Sequence, residues 1–489
     1  MNINLLPLSY DFDQIDILKK CTSAHRKLAE LKGICKTIPN SDILINNLTL
    51  TEAKESSAIE NIITTYNNLY QQELSQHSSA KITNQATKEV VRYREAIKYA
   101  YEIITSKKLL TNNDIININN ILQNITDCGF RNQIGTVLKN DSTGEIIYTP
   151  PLPQKINKLM DNLEIYINDN NIQDIDPLIK MAIIHHQFES IHPFFDGNGR
   201  TGRIINISYL IMQNLIDSPI LYLSRYFIQH KDKYYQLIQN VRDYGDWKAW
   251  VMFVLDAVEM IAGETITLIT TIKNLQKCAK DQIQKHIPKI YSKDLLDHLF
   301  IHTYTTATQL KNILGISRQT ATKYLNSLAK FNILHKVNQG KYTYFIHKQL
   351  YLILSHNLEI KHDHIVVKLT ESISFIKMAI IDANKIHNFS QFDLNPAEEV
   401  YIFFPEEEEM KALNNFMSKH NSDINNIHIK SNHNPYDIII PIYDFKQINY
   451  QQRHGTFNDI KYQFIATNLK IINFGFAPSN AIKKYKINY

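Results

Sequence analysis

The sequence predicts a mainly helical protein, with a helical core interrupted by one β-hairpin, then a winged helix-turn-helix, then a C-terminal α/β region. Three observations carry that expectation. Apolar residues recur at helical spacing over most of the chain up to about residue 275. Two short β-branched runs flank Asp141-Ser142-Thr143-Gly144. From about Ile290 the pattern becomes helix, glycine turn, helix and paired strands.

In chain order, Asp16 to Ile34 places Ile17, Leu18, Cys21, Ala24, Leu28 and Leu31 on one helical stripe. A break at Pro39 to Ser41 precedes a second helix through "ILINNLTLTEAKESS", and two more are expected near Ala86 to Ser106 and Asn113 to Ile125. The hairpin occupies Ile134 to Pro151, where Pro150-Pro151 stops its second strand. Asp176 then caps a helix with Pro177 at its first position, and apolar residues cover much of that helix's circumference. Arg200 to Leu215 is a second helix apolar nearly all round. Farther on, Thr305 to Phe345 gives two helices about Gly315 and a wing turning at Gln339-Gly340. "EEVYIFFP" and "YDIIIPIYDF" read as strands, and Glu406 to Glu409 as a solvated helix start.

Bulk properties bound the rest. A chain of 489 residues has room for two to four domains, and an apolar content of 44% is ordinary for a globular protein. A net charge of +5 is weakly basic, which neither demands nor excludes nucleotide or nucleic-acid partners. Cys21, Cys35, Cys128 and Cys278 lack metal-ligand spacing and read as reduced core thiols of a cytosolic protein. There is no basic-then-apolar leader and no long apolar run, so neither a signal peptide nor membrane contact is expected. A cytoplasmic location follows, with a secreted effector left open because its signal escapes this test.

The chemistry concentrates in "HPFFDGNGRTGR", His192 to Arg203, between the two apolar helices. Gly197-Asn198-Gly199 suits a tight non-helical turn, and Gly199-Arg200 opens the following helix. A helix N-terminus with unpaired N–H groups attracts anions. Arg200 and Arg203, three apart, can clamp neighbouring phosphates. Asp196 offers the hard oxygen that suits Mg²⁺ when it also holds phosphates. His192, with an ordinary pKa near ~6.5, is largely neutral at cytosolic pH and can take a proton from an acceptor hydroxyl. No GxxxxGK[ST] occurs, so the site is not a P-loop.

The stretch resembles the signature of the Fic (filamentation induced by cAMP) family, H-x-F-x-[D/E]-G-N-G-R-x-x-R, at every position: His192, Phe194, Asp196, Gly197, Asn198, Gly199, Arg200 and Arg203. The likeness runs from about Leu6 to Val258. It implies a Fic-type helical core that moves AMP from Mg-ATP onto a Ser, Thr or Tyr hydroxyl of a target protein or of the chain itself. On that basis His192 is the base, Phe194 anchors the loop and Asp196 holds Mg²⁺. Glu60, His192, Gly197, Asn198, Gly199, Arg200, Thr201, Gly202, Arg203 and Tyr235 form the expected ATP-binding set, and Tyr234 accompanies Tyr235 at the nucleotide's base and sugar. Ser56, Glu60 and Asn61 resemble the family's inhibitory motif, with Ser56 and Glu60 on one helical face and Glu60 set against Arg203. The hairpin at 134–151 resembles the family's flap, where a target protein would dock by strand addition.

The implied domains are an N-terminal helical region with the inhibitory helix (1–110), the catalytic core (111–275), the winged helix-turn-helix (285–350) and an α/β region of unassigned role (360–489). DNA bound through Arg318, Lys323, Lys330, Lys336 and Lys341, and a second copy of the chain, are further partners to consider. Two rival activities stay open at this stage: hydrolytic removal of AMP at the same site, and nucleotide sensing without turnover in a DNA-binding regulator. A complete His-Asp-Arg-Arg set argues against pure sensing, which needs no base.

Overall fold

The computed structural model describes residues 3–75, 84–139, 144–339 and 342–355, together with strands at 357–361, 364–368, 398–403, 428–429, 438–440 and 463–469. The chain divides into two compact units, Met1–Leu350 and Tyr351–Tyr489.

The first unit is helical for most of its length. Helix α1 (Ile15–Cys35) buries Ile17, Cys21, Ala24, Leu28 and Leu31. Leu18 leaves the expected stripe and is 41% exposed. Successive residues stand ~100° apart on a helix, and Ile17 takes the inward direction. Helix α2 (Asp42–Ile59) is buried over most of its surface, and α3 (Tyr66–Ser75) follows it. Asn84 caps α4 (Gln85–Lys107), while Thr111 and Asp114 form a reciprocal capping box on α5 (Asn112–Gln123).

The hairpin is short. Strands β1 (Leu138–Lys139) and β2 (Ile146–Tyr148) pair antiparallel, with Leu138 opposite Tyr148. Asp141 to Thr143 of the expected turn lie outside the described residues.

Helix α6 (Pro153–Asn168) leads to the central pair α7 (Pro177–Ile191) and α8 (Asn198–Met212), both buried nearly all round. Asp176 caps α7 by accepting from the Leu178 amide at 2.8 Å. Helices α9 (Ser224–Gln229) and α10 (Lys231–Tyr244) precede α11 (Trp247–His286), which packs along α1. His185, Phe227, Tyr234, Trp250 and Phe253 form the aromatic centre where α7, α9, α10 and α11 meet, and Trp250 donates to the Ala182 carbonyl at 2.8 Å.

Beyond α11 come α12 (Lys293–Ile301), β3 (Tyr304–Thr305), α13 (Ala307–Leu314), α14 (Arg318–Lys330), β4 (His335–Gln339) and β5 (Tyr342–Ile346). Gly315 turns α13 into α14 in the left-handed conformation, at φ 64°, and β5 pairs with both β3 and β4. Gly340, half of the expected wing turn, lies outside the described residues. This module sits against α2 and α3. Asn47 donates to the Phe300 carbonyl at 2.9 Å, Tyr304 stacks on Tyr70 with ring centres 5.1 Å apart, and the Tyr304 hydroxyl donates to Asn67 at 3.0 Å.

Helix α15 (Lys348–Ser355) runs into the second unit, where β6 (Asn357–Lys361) and β7 (His364–Lys368) form an antiparallel hairpin. Strands β8 (Glu398–Phe403), β9 (His428–Ile429), β10 (Ile438–Ile440) and β11 (Gln463–Leu469) make a sheet in the order β11-β8-β10-β9. The helix start expected at Glu406 to Glu409 lies outside the described residues.

The expectation for the cysteines needs correction. Cys21 is buried and Cys35 partly so, whereas Cys128 and Cys278 are exposed. Cys128 lies in the loop after α5 and Cys278 on α11, so neither belongs to the core. Among the described residues, no helix is long and apolar enough to cross a membrane.

Candidate active site

His192 closes α7 as its C-cap in the left-handed conformation, φ 51° and ψ 58°. Such a backbone costs an L-residue about 1–2 kcal/mol, so the surroundings must enforce it. The loop beyond is fixed from inside. Phe194 is 2% exposed and packs on Phe130 and Phe188, with ring centres 5.6 and 6.3 Å away. The Asn198 amide donates to the Phe194 carbonyl and accepts from the Phe194 N–H, both at 2.8 Å.

The turn is tighter than the sequence suggested. Only Gly197 is left-handed, at φ 78°, and α8 already starts at Asn198. Asn198 can be helical because its side chain, rather than its backbone, staples the loop. Gly199 is therefore required for space: a Cβ there would collide with Glu60 Oε1 and approach Arg203 Nη1 to 3.1 Å.

Asp196 lies at the mouth with its side chain 65% exposed. Its Oδ1 accepts from the Gly197 N–H at 2.6 Å, and its Oδ2 stands 3.7 Å from Arg200. Gln123 of α5, with its amide oriented to suit both neighbours, donates to Asp196 at 3.3 Å and accepts from Arg200 at 3.2 Å. Asn119 donates to the Asp196 carbonyl at 3.0 Å and to Thr201 Oγ1 at 3.2 Å. Thr201 is buried, and Gly202 faces α7, where a Cβ would meet Glu189 Oε1 at 2.8 Å and Phe188 at 3.1 Å. These two side-chain positions serve the packing of α8 on its neighbours.

Arg203 is buried and fully engaged by α2. Its Nε donates to Ser56 Oγ at 2.7 Å, and its Nη2 donates to the Ser56 carbonyl at 3.0 Å and to Glu60 Oε1 at 2.8 Å. Burial works against the guanidinium's charge, but Glu60 more than offsets it and the pKa rises above the usual arginine value. Asn61 next turns the chain with φ 59°, and its side chain accepts from Lys231 at 3.0 Å. Behind this contact Glu52 is buried on α2, accepting from Ser224 and, at 3.1 Å, from Tyr93. Burial pushes its carboxyl up to about 7.

Burial, then the Arg242 and Arg131 guanidinium groups, lower the His192 pKa to about 4. The imidazole is thus neutral over a wider range than its ordinary value implies, and available to accept a proton. Tyr235 is 43% exposed, but Tyr234 is buried and bonds His185 Nε2 at 2.8 Å. Tyr234 therefore belongs to the aromatic core, and the expectation that it accompanies Tyr235 at a nucleotide is corrected.

Several residues escaped the sequence reading. Arg131 donates to the His192 carbonyl at 2.8 Å and to the Pro151 carbonyl at 2.6 Å. Arg242 donates to the Glu189 carbonyl at 3.1 Å and lies 3.7 Å over the Tyr148 ring. Asn119, Gln123 and Glu52 complete the surround. The one available hint was Arg131, an isolated cation just ahead of the hairpin.

Three family models match successive parts of the chain in this unit: Fic/DOC family N-terminal over residues 18–102, Fic/DOC family over 109–210, and Protein adenylyltransferase SoFic-like, C-terminal domain over 275–350. The chain belongs to the Fic family. The third match carries the family likeness past Val258, where the sequence resemblance stopped. Relatives of this Fic chain include the protein adenylyltransferases Fic of Aedes aegypti, 32% identical over 112 residues, and of Drosophila erecta, 30% identical over 112 residues. Each alignment covers 23% of this chain and 21% of the relative, so the chain spans about a fifth of the length of the curated relatives it matches. Among solved structures, a Fic family protein from Desulfovibrio desulfuricans aligns at 19% identity and TM-score 0.45, over 70% of this chain and 98% of that one. Fic-1 from C. elegans aligns at 20% identity and TM-score 0.41, over 52% and 74%.

Proposed function

We propose that this Fic protein is an adenylyltransferase that moves AMP from Mg-ATP to a hydroxyl of a target protein and of itself, restrained by its own α2. The observation that carries this reading is the triple engagement of Arg203 by Ser56 and Glu60, at the N-terminus of α8 and on the same loop as a neutral His192. A helix N-terminus and two buried arginines suit a triphosphate. His192 would take the proton of the acceptor hydroxyl as its oxygen attacks the α-phosphorus, with pyrophosphate leaving. Glu60 holds the guanidinium that the γ-phosphate would need, so ATP binds out of line until Glu60 withdraws.

Asp196 fits the metal that such chemistry uses. Its carboxylate is exposed and one oxygen is already oriented by Gly197. Among the described residues no cluster of three His, Cys, Asp or Glu side chains could hold a metal. One carboxylate plus substrate phosphates and water is the usual provision for Mg²⁺. Tyr235 would border the nucleotide. Ile146 and Ile147 of β2 are 59% and 47% exposed and would dock the target's backbone.

Incubating the full chain with labelled ATP, with and without Glu60→Gly, tests the reading. Label on protein that increases in the variant is expected. AMP release from a modified protein without transfer would instead favour removal, and neither activity would favour sensing.

A specific observation also supports a nucleic-acid partner. No Asp or Glu occurs between Asp297 and Glu359, a stretch holding Lys311, Arg318, Lys323, Lys330, Lys336, Lys341 and Lys348. Arg318, Gln319, Thr322 and Lys323 are exposed on α14, whose Ala321, Leu325 and Leu328 are buried. These are side chains able to read base edges and phosphates. We infer duplex DNA as the ligand. Binding to genomic fragments that weakens steeply with salt is expected, and absence of binding at low salt would assign this face to packing alone.

A further inference from the structure

Helix α7 ends on the catalytic loop, and a helix end leaves its last carbonyls without partners inside the helix. Here those carbonyls are taken by side chains from elsewhere. The Glu189 carbonyl accepts from Arg242 at 3.1 Å, the Ser190 carbonyl from the Tyr148 hydroxyl at 2.8 Å, and the His192 carbonyl from Arg131 at 2.8 Å.

The same three side chains reach the flap. Tyr148 is the last residue of β2, buried while its neighbours Ile146 and Ile147 face outward. Arg242 covers the Tyr148 ring and also donates to Ser190 Oγ at 3.1 Å. Arg131 donates to the Pro151 carbonyl, where the flap leaves for α6, and its own N–H donates to the Pro193 carbonyl at 2.8 Å. The backbone on both sides of His192 is thereby tied to the strand that would carry the acceptor.

We propose that Arg131, Tyr148 and Arg242 are positioning residues for the transfer reaction, forming a clamp that sets the distance between the acceptor-docking strand and the His192 imidazole. The clamp has a second effect in the same sense. It holds the left-handed cap at His192 against its intrinsic cost, so the ring is aimed before an acceptor arrives. A misplacement of about 1 Å between reacting groups costs on the order of a hundredfold in rate. None of the three carbonyl bonds involves Arg200, Arg203 or the N-terminus of α8, so the affinity for ATP should be indifferent to them.

This inference rests on the transfer reading, and its test separates the two. In the full chain carrying Glu60→Gly, self-modification is measured against ATP concentration for Arg131→Ala, Arg131→Lys and Tyr148→Phe. Arg131→Ala is expected to lower kcat about a hundredfold while the KM for ATP changes less than about threefold. Arg131→Lys, which keeps the charge but cannot span both carbonyls as a fork, should recover only part of the loss. Tyr148→Phe keeps the ring beneath Arg242, removes one bond and should cost about tenfold. An unchanged kcat in Arg131→Ala and Tyr148→Phe overturns the clamp, and so does an equal loss of kcat and ATP affinity, which would mark a merely structural role. If the Glu60→Gly parent transfers no label, the transfer reading fails. The clamp is then judged by hydrogen exchange. Faster exchange of the β2 amides in Arg131→Lys and Tyr148→Phe at unchanged Mg-ATP affinity supports it, and unchanged exchange overturns it.

Discussion

Glu60 Oε1 occupies the space into which a side chain at Gly199 would project, while bonding Arg203 at 2.8 Å. In the proposed function the restraint and the anion site are thus one volume. Glu60→Gly should raise self-modification at least about tenfold, equivalent to ~1.4 kcal/mol. Adding Arg203→Ala should abolish the gain, because in the proposed function the freed guanidinium is what the triphosphate would use. Gly199→Ala also expels Glu60 but puts a methyl group in the same volume, so it should show no gain. Initial rates with labelled ATP compare the variants, and a Gly199→Ala protein as active as Glu60→Gly would contradict the shared volume.

His192→Ala should remove transfer and leave Mg-ATP binding intact by calorimetry, since the base serves the acceptor. The pH profile of kcat/KM gives a second check. Because burial and two neighbouring guanidinium groups hold the imidazole near 4, its neutral form persists on acidification. The acid limb should therefore be missing between about pH 5.5 and 7.5, the range in which an ordinary histidine titrates. A limb centred near 6.5 would show that His192 is not so held.

Glu52 offers a stability test. Burial holds its folded pKa at about 7 against an ordinary value of 4.5, so between those values the folded state binds the extra proton. The stability from the protonated carboxyl is full below the unfolded value and is lost as pH rises through the folded one. Glu52→Gln removes that dependence. Over this window the stability difference should move in the variant's favour by up to ~1.4 kcal/mol per pH unit, then level off. Denaturant melts at pH 5, 6, 7 and 8 would measure it, and a pH-independent difference would contradict a buried protonated acid.

Asn47 joins α2 to the C-terminal module. Asn47→Ala leaves the buried Phe300 carbonyl without that donor and should cost about 1–3 kcal/mol in unfolding free energy. It should also loosen α2, so basal self-modification should rise several-fold. In a Glu60→Gly background the same change should add nothing to the rate. Additive effects of the two substitutions would separate the module from the restraint.

The helical core was legible because one-sided burial enforces an apolar period, as in α1, while burial all round gives α7 and α8 nearly continuous apolar runs. The loop was legible because its chemistry lies in twelve contiguous residues, His192 to Arg203, and Ser56 with Glu60 because the stretch resembles the family's inhibitory motif, its two residues one helical turn apart. Arg131, Tyr148 and Arg242 were not legible as a group. Their partners are main-chain carbonyls, which every residue carries, so no pairing of residue types betrays the contact. Asn198 and Gly199 show another limit: glycine signals either left-handed backbone or lack of room, and only geometry distinguishes them.

Helix α2 is gripped near its start by the C-terminal module at Asn47 and ends in the candidate active site, with Glu60 on Arg203. A helix transmits phase as well as distance, with each residue turning the next by ~100° and advancing it 1.5 Å. The aim of the carboxylate at Arg203 is therefore counted from Asn47. Substitutions along the intervening turns leave that count intact, whereas deleting a single residue between them would swing Glu60 about a quarter-turn away. Genetic variation in this segment should accordingly accept changes of residue type far more readily than changes of length, and a natural insertion there would be a route to an unrestrained enzyme.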